Sequence, residues 1–311
     1  MKDWWQTTFP EGRKSLTITD VHGYPVQIAY GEKGTGKPLF LLHGIGSWSY
    51  NWRYIIDPLS KYFRVICFDA KGYGFSAKPW FRQEQNGHQV IELERIIQQL
   101  CDEPVVIVAE SFGALVSLAL AQKNPQLIAR LVVINAAIFP ESLPNWGMSL
   151  LAQIPIEILQ IIDSLRVAYL FAPLCREVMA MERRKVLFDP SMLTEEDVYW
   201  ITYPLIEFPG TLVKLAQELQ IAAQEIDSWK VGKPNMLSTT QNNLGAINCP
   251  ILILWGDQDN WFPASHGEKL HQHLPNSQLK ILTNCCHDAL TGSSSVVNKA
   301  ILDFLHDTNF L

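Results

Sequence analysis

Apolar and polar positions fall into blocks along the first part of the chain. Leu39-Phe40-Leu41-Leu42, Val65-Ile66-Cys67-Phe68, Val105-Val106-Ile107-Val108-Ala109 and Leu131-Val132-Val133-Ile134 are short, continuous apolar runs. Such runs are too short for most helices and too uniformly apolar for a strand with one wet face, so they predict strands buried on both sides. Between them, residues 88–100 and 112–123 carry helical spacing, the second ended by Asn124-Pro125. Residues 52–62 also read as a helix. Ahead of these, residues 15–20 and 26–30 alternate on either side of the turn His22-Gly23-Tyr24-Pro25, as strands of a hairpin do. Strands alternating with helices predict an α/β fold: a mostly parallel central sheet flanked by helices.

The pattern changes near residue 140. From there to 245 no strand is evident. Helical stretches cover 150–170 (interrupted by Pro155), 175–185, 194–200 and 211–226. Strand patterns return at 251–254 and 278–282, and a last helix spans 295–306. The expected division is a core made of 1–139 and 246–311, with 140–245 inserted as a helical cap, or lid, over the strand ends.

The most informative local stretch is Ala109-Glu110-Ser111-Phe112-Gly113. A buried strand pattern stops at Ser111 and a helical one begins at once. A reversal this sharp strains the apex residue and crowds the positions two before and two after it, which here hold Ala and Gly. Small-x-Ser-x-small describes a nucleophile elbow, which lifts a serine oxygen above the sheet edge. The alternative is that Ser111 merely caps the following helix.

Composition narrows the function. The 311 residues are 48% hydrophobic, enough for a sizeable core, with 25 Lys and Arg against 31 Asp and Glu and a net charge of −6. Mild acidity without a basic run argues against a nucleic-acid surface. No apolar run reaches the length of an integral membrane segment, and the start of the chain lacks a signal-peptide core. None of the six cysteines forms a C-x-x-C pair, and buried reduced thiols are expected, as in a cytoplasmic protein. There is no P-loop, and Gly72-Tyr73-Gly74 lacks the dinucleotide fingerprint. His271 and His273 have no clustered acidic or thiol partners and read as surface residues. Neither a cofactor nor a metal is expected, and the sequence gives no oligomeric state.

A serine hydroxyl needs a neighbouring base, usually a histidine held by a carboxylate. Candidates follow the last two strands: Trp255-Gly256-Asp257-Gln258-Asp259 and Thr283-Asn284-Cys285-Cys286-His287. The chain order is serine, acid, histidine. Taken with Leu41-Leu42-His43-Gly44 and Asp69-Ala70-Lys71-Gly72-Tyr73-Gly74-Phe75-Ser76, these pieces resemble the α/β-hydrolase superfamily over nearly the whole length, in its capped branch with a serine nucleophile. The resemblance implies that Ser111 is the nucleophile and His287 the base. Asp259, three residues after Gly256, matches the family acid, with Asp257 as the competitor. It implies an oxyanion hole from the amides of Ile45 and Phe112, supported by His43, Gly44 and Gly113. His43 is expected to brace the oxyanion loop and Asp69 to support its own loop. Glu110 either lines the pocket or faces the loop after residues 131–134.

Three departures stand out. Ala109 replaces the usual first Gly of the elbow. Cys286 precedes His287 where Gly is common. The nucleophile is Ser and not Asp, which disfavours the halide- and epoxide-directed branches. Trp146, Leu150, Tyr169, Phe171, Trp200 and Tyr203 make the cap rich in apolar surface, most of it expected to pack against the core. The expected activity is hydrolysis of an ester, thioester or similar acyl compound with an apolar portion. C–C bond hydrolysis of a diketone, a lyase or cofactor-free oxygenase reaction, and a ligand receptor are the alternatives.

Overall fold

The computed structural model describes residues 2–79, 84–308 and 310. A short helix α1 (Trp4–Thr8) precedes the hairpin β1 (Lys14–Thr19) and β2 (Pro25–Lys33). Then come β3 (Pro38–Leu42), a 3-10 turn (Ser49–Trp52), α2 (Ile56–Leu59), β4 (Arg64–Phe68), α3 (Asn86–Leu100), β5 (Val105–Glu110), α4 (Phe112–Lys123) and β6 (Ile128–Ile134). Seven helices follow: α5 (Trp146–Leu151), α6 (Ile156–Ser164), α7 (Val167–Leu170), α8 (Ala172–Arg184), α9 (Glu195–Glu207), α10 (Thr211–Lys230) and α11 (Met236–Asn242). The chain closes with β7 (Ile251–Gly256), α12 (Ala264–His273), β8 (Ser277–Leu282), α13 (Ala289–Gly292) and α14 (Ser294–Asp307).

The eight strands form one sheet in the order β1-β2-β4-β3-β5-β6-β7-β8. β2 pairs antiparallel with β1 and β4, and every other pairing is parallel. Continuous apolar runs make sense in this setting, because successive side chains point to opposite faces and both faces are covered. In β5, Val105, Ile107 and Ala109 enter a layer with Leu93 and Ile97 of α3 and Leu118 of α4. Val106 and Val108 enter the opposite layer, with Ile56 of α2 and Ile301 of α14. β3 and β4 split in the same way.

The predicted strands are all present. The helix expected over 52–62 is replaced by the 3-10 turn and the four-residue α2. Pro58 has no amide to carry a ladder inward from the first turn, and the backbone at Ser49 is held by Asp69 Oδ1, which accepts from its amide at 2.8 Å and its hydroxyl at 2.6 Å. Among the described residues, only helices and turns lie between β6 and β7. Pro155 separates α5 from α6, as its position suggested. α9 starts with a capping box between Thr194 and Asp197.

The helices between β6 and β7 meet the rest of the chain in two ways. Trp200 of α9 is buried against Trp48 and Tyr50, and Trp48 Nε1 donates to the Trp200 carbonyl at 3.0 Å. A buried ionic network is the second. Lys214 and Glu218 of α10 pair at 2.8 Å, and Tyr73 donates its hydroxyl to Glu218. Not all the apolar surface of these helices is used in this way. Trp146, Leu150, Tyr169 and Phe171, expected mostly to pack inward, are exposed, while Leu159 of α6 is buried in a small separate cluster with Val213 and Ala216 of α10.

Candidate active site

Ser111 stands where β5 turns into α4, with φ 53° and ψ −120°. That region costs a non-glycine residue about 1–3 kcal/mol. It is held there by bonds on both sides: the Ser111 amide donates to the Ile134 carbonyl at 2.9 Å, and its carbonyl accepts from Ala137 at 3.1 Å. The two flanking small residues behave differently. A Cβ at Gly113 would meet the carbonyl oxygens of His43 and Leu42 at 2.6 and 2.7 Å, so no side chain fits. Ala109 instead lies in the apolar layer with residues of α3 and α4, fully buried. The departure at Ala109 is therefore accommodated by packing.

The structure brings Ser111, His287 and Asp259 together. His287 Nε2 lies 3.2 Å from Ser111 Oγ, and His287 Nδ1 lies 2.8 Å from Asp259 Oδ2. The other carboxylate oxygen of Asp259 accepts from the amides of Trp261 and Phe262 at 2.9 and 3.0 Å. Asp257 points elsewhere: its Oδ1 accepts from the Cys285 amide at 3.1 Å, which ties the loop carrying His287 to the loop carrying Asp259. Cys286 fits the same loop without glycine, because the left-handed residue there is Asn284, at φ 55°.

Ile45 and Phe112 line the same cavity as Ser111. Gly44 passes so close that a Cβ would sit 3.1 Å from Ser111 Cβ. His43 is buried, and burial lowers its pKa. Its Nδ1 lies 2.9 Å from the Gly44 carbonyl, and its Nε2 accepts from the Ala70 amide at 3.0 Å. It thus links the loop after β3 to the loop after β4. Asp69 bonds to Ser49 and to the Phe75 amide. His271 and His273 are exposed and bonded locally, to Ser277 Oγ and the Lys269 carbonyl. All six cysteines are free thiols.

Glu110 lines the cavity. It is buried and accepts from Asn51 Nδ2 at 2.5 Å. Burial first, and then the nearby Asp288 charge, push its pKa up to about 8. Arg183 of α8 reaches Asp288 Oδ2 at 3.4 Å. Ser111 sits at the junction of two chambers. One, of about 70 Å³, is walled by Leu115, Leu143, Met148, Leu219 and Trp261. The other, of about 360 Å³, includes Asn51, Glu110, Arg183 and Asp288 among its walls.

Sequence reasoning missed several residues here. Asn135, at φ 46° just after β6, accepts from the Gly256 amide at 2.9 Å and donates to the His287 carbonyl at 2.8 Å. A polar residue ending an apolar strand at the functional edge was its available signal. Asn51, Arg183 and the Trp261 ring, 4.5 Å from that of His287, had none.

Comparison with known proteins agrees with the fold. Residues 37–159 match the family described as the alpha/beta hydrolase fold, and residues 217–310 match one described as TAP-like protein. The chain is 26% identical over 298 residues to a 2-hydroxy-6-oxononadienedioate/2-hydroxy-6-oxononatrienedioate hydrolase of Comamonas testosteroni, covering 94% of this chain and 96% of that one. It is 24% identical, with the same coverage, to a 2-hydroxy-6-oxo-6-phenylhexa-2,4-dienoate hydrolase of Burkholderia cepacia. Among solved structures, a meta-cleavage product hydrolase of Pseudomonas fluorescens superposes with a TM-score of 0.65 at 23% identity, over 94% of this chain and 98% of the other. A thermophilic esterase of Thermogutta terrifontis gives 0.69 at 21%, with the same coverage. The eight-stranded sheet, the strand-end placement of the site and these relatives agree: the chain belongs to the α/β-hydrolase superfamily of enzymes.

Proposed function

We propose that the chain is a serine hydrolase acting at a carbonyl carbon, with a conjugated 2-hydroxy-6-oxo acid as its substrate class. The observation that carries the first part is the line from Asp259 through His287 to Ser111, with separations of 2.8 and 3.2 Å. In this reading Ser111 Oγ attacks the carbonyl carbon and gives its proton to His287 Nε2. Asp259 holds the imidazole in the right tautomer and stabilises the imidazolium. The amides of Ile45 and Phe112 receive the developing oxyanion, each worth about 3 kcal/mol in the transition state. His287 then protonates the leaving group and activates water against the acyl-enzyme.

The substrate class rests on the relatives. A 2-hydroxy-6-oxo-dienoate contains no ester, so its hydrolysis breaks the C–C bond beside the C6 ketone. The enol proton first moves to C5, which becomes tetrahedral; breaking the C5–C6 bond then leaves the electron pair in a dienolate conjugated to the C2 oxygen, and water supplies the hydroxyl of the new acid and the proton that restores the enol. The two chambers suit a substrate with a compact apolar arm and a longer arm bearing polar groups. The sequence alone favoured ester hydrolysis over C–C cleavage; the names of the relatives support the second reading. Segment 140–245 is assigned the role of the cap that closes these chambers. The free cysteines support a reducing, cytoplasmic setting.

The test is a comparison of kcat/KM on 2-hydroxy-6-oxo-6-phenylhexa-2,4-dienoate with that on short p-nitrophenyl esters. Faster turnover of the dienoate supports the assignment. Turnover of esters alone returns the chain to the ester class. Tight binding of either without turnover favours the receptor alternative.

A further inference from the structure

Three buried acids stand around the catalytic cleft, and the protein provides for them unequally. Asp259 accepts from the Trp261 and Phe262 amides and faces the imidazole of His287. Asp288 accepts from the Thr291 amide at 3.0 Å and from Arg183 Nη1 at 3.4 Å. Glu110 has one donor among the described residues, Asn51 Nδ2, which reaches its Oε2. Arg183 is the one lysine or arginine among the described residues of the larger chamber's wall, and Asp288 already answers it. Glu182, also in that wall, pairs with exposed Lys185. When carboxyl groups crowd a site that excludes water, the one with the fewest donors and no cation keeps its proton. Burial first, and then the Asp288 charge, act on Glu110 in that direction.

A neutral carboxyl is a donor as well as an acceptor. Oε2 of Glu110 is engaged by Asn51, whereas Oε1 has no partner among the described residues and is open to the chamber. The Oδ1 of the same Asn51 amide is buried without a partner. Buried polar atoms are nearly always bonded to something, so this pair is left unfinished by the protein itself. The wall beside the nucleophile thus offers an uncharged donor where the nearest cation is already spent on Asp288. A substrate arm that ends in a carboxylate completes it, because a hydroxyl bonded to a carboxylate oxygen is among the stronger hydrogen bonds. Ionised Glu110 would instead meet that arm as a like charge. We propose that protonated Glu110 is a specificity-determining residue, donating from Oε1 to the carboxylate at the acidic end of the substrate. This inference rests on the dienoate class proposed above.

The test is equilibrium binding of 2-hydroxy-6-oxo-6-phenylhexa-2,4-dienoate to chains that carry Ser111→Ala, so that the ligand survives the measurement. Three such chains are compared at about pH 6.5 and about pH 9: one with Glu110 intact, one with Glu110→Gln, which keeps a donor at every pH, and one with Glu110→Met, which has none. Melting curves establish that each is folded. At the lower pH the Glu110 and Glu110→Gln chains should bind alike, and the Glu110→Met chain about tenfold or more weakly. At the higher pH Glu110 has given up most of its proton, and its chain should bind about tenfold more weakly than the Glu110→Gln chain. Taking the ratio of these two chains at each pH removes the ligand's own titration. The inference is overturned if that ratio is the same at both pH values, or if the folded Glu110→Met chain binds as tightly as the Glu110 chain at the lower pH. Absence of binding to every chain at both pH values overturns the dienoate class, and this inference with it. That outcome is distinct from binding that ignores Glu110, which leaves the dienoate class standing.

Discussion

Asn135 fastens His287 to the neighbouring strand: its Nδ2 donates to the His287 carbonyl at 2.8 Å while its Oδ1 accepts from the Gly256 amide at 2.9 Å. One buried side chain therefore sets the distance between the loops that carry the histidine and the acid. Replacing it with Ala leaves a donor and an acceptor unpaired and places Ala at φ 46°. Asn135→Ala should lower stability by roughly 2–4 kcal/mol. In the folded fraction it should lower kcat more than it raises KM. Urea unfolding and steady-state kinetics check the two halves.

The two acids after β7 should separate cleanly. Asp259 orients the imidazole, so Asp259→Asn should cost about ten-thousandfold in kcat, the order seen when such a triad loses its carboxylate. Asp257 Oδ1 accepts from the Cys285 amide at 3.1 Å and stands apart from the imidazole. Asp257→Asn should keep kcat within about tenfold and act through stability, by about 1 kcal/mol.

Gly113 tests the packing of the elbow. A methyl there meets two backbone oxygens at 2.6 and 2.7 Å, and backbone cannot swing aside as a side chain can. Gly113→Ala should destabilise by roughly 1–3 kcal/mol, whereas Ala109→Gly should change activity little. Thermal melting and kinetics of both variants measure the asymmetry.

These residues also show how far the sequence could be read. Ser111, Asp259 and His287 were legible because each follows an apolar strand, and parallel strands deliver their carboxyl ends to one edge. The strands themselves, and the purely helical pattern between β6 and β7, followed from the same periodicity, whereas the order of the strands in the sheet did not. Asn51, Arg183 and Trp261 were not legible, since each comes from a turn or helix whose approach to the site depends on tertiary packing. The inward or outward aim of residues between β6 and β7, such as Leu150 and Phe171, was hidden too: an apolar residue on an amphipathic helix looks the same whether it meets core or solvent.

Glu110 should give the protein a pH signature. Its folded pKa lies at about 8 against an ordinary value of 4.5, with burial as the main cause. Below 4.5 the carboxyl is neutral in both folded and unfolded chains. Between 4.5 and about 8 the unfolded chain releases this proton and the folded chain keeps it, so stability falls as pH rises through that window. Glu110→Gln cannot ionise, and its melting temperature should fall less steeply than the parent's over the same range. Parallel melting curves across that window check the sign.

The account depends most directly on Ser111 being made reactive by His287. Intact-mass and peptide analysis after treatment with a fluorophosphonate measures this. One adduct on Ser111, absent in Ser111→Ala and formed far more slowly in His287→Ala, is the predicted result. An adduct that persists in folded Ser111→Ala, or one formed at the same rate without the imidazole, would contradict it.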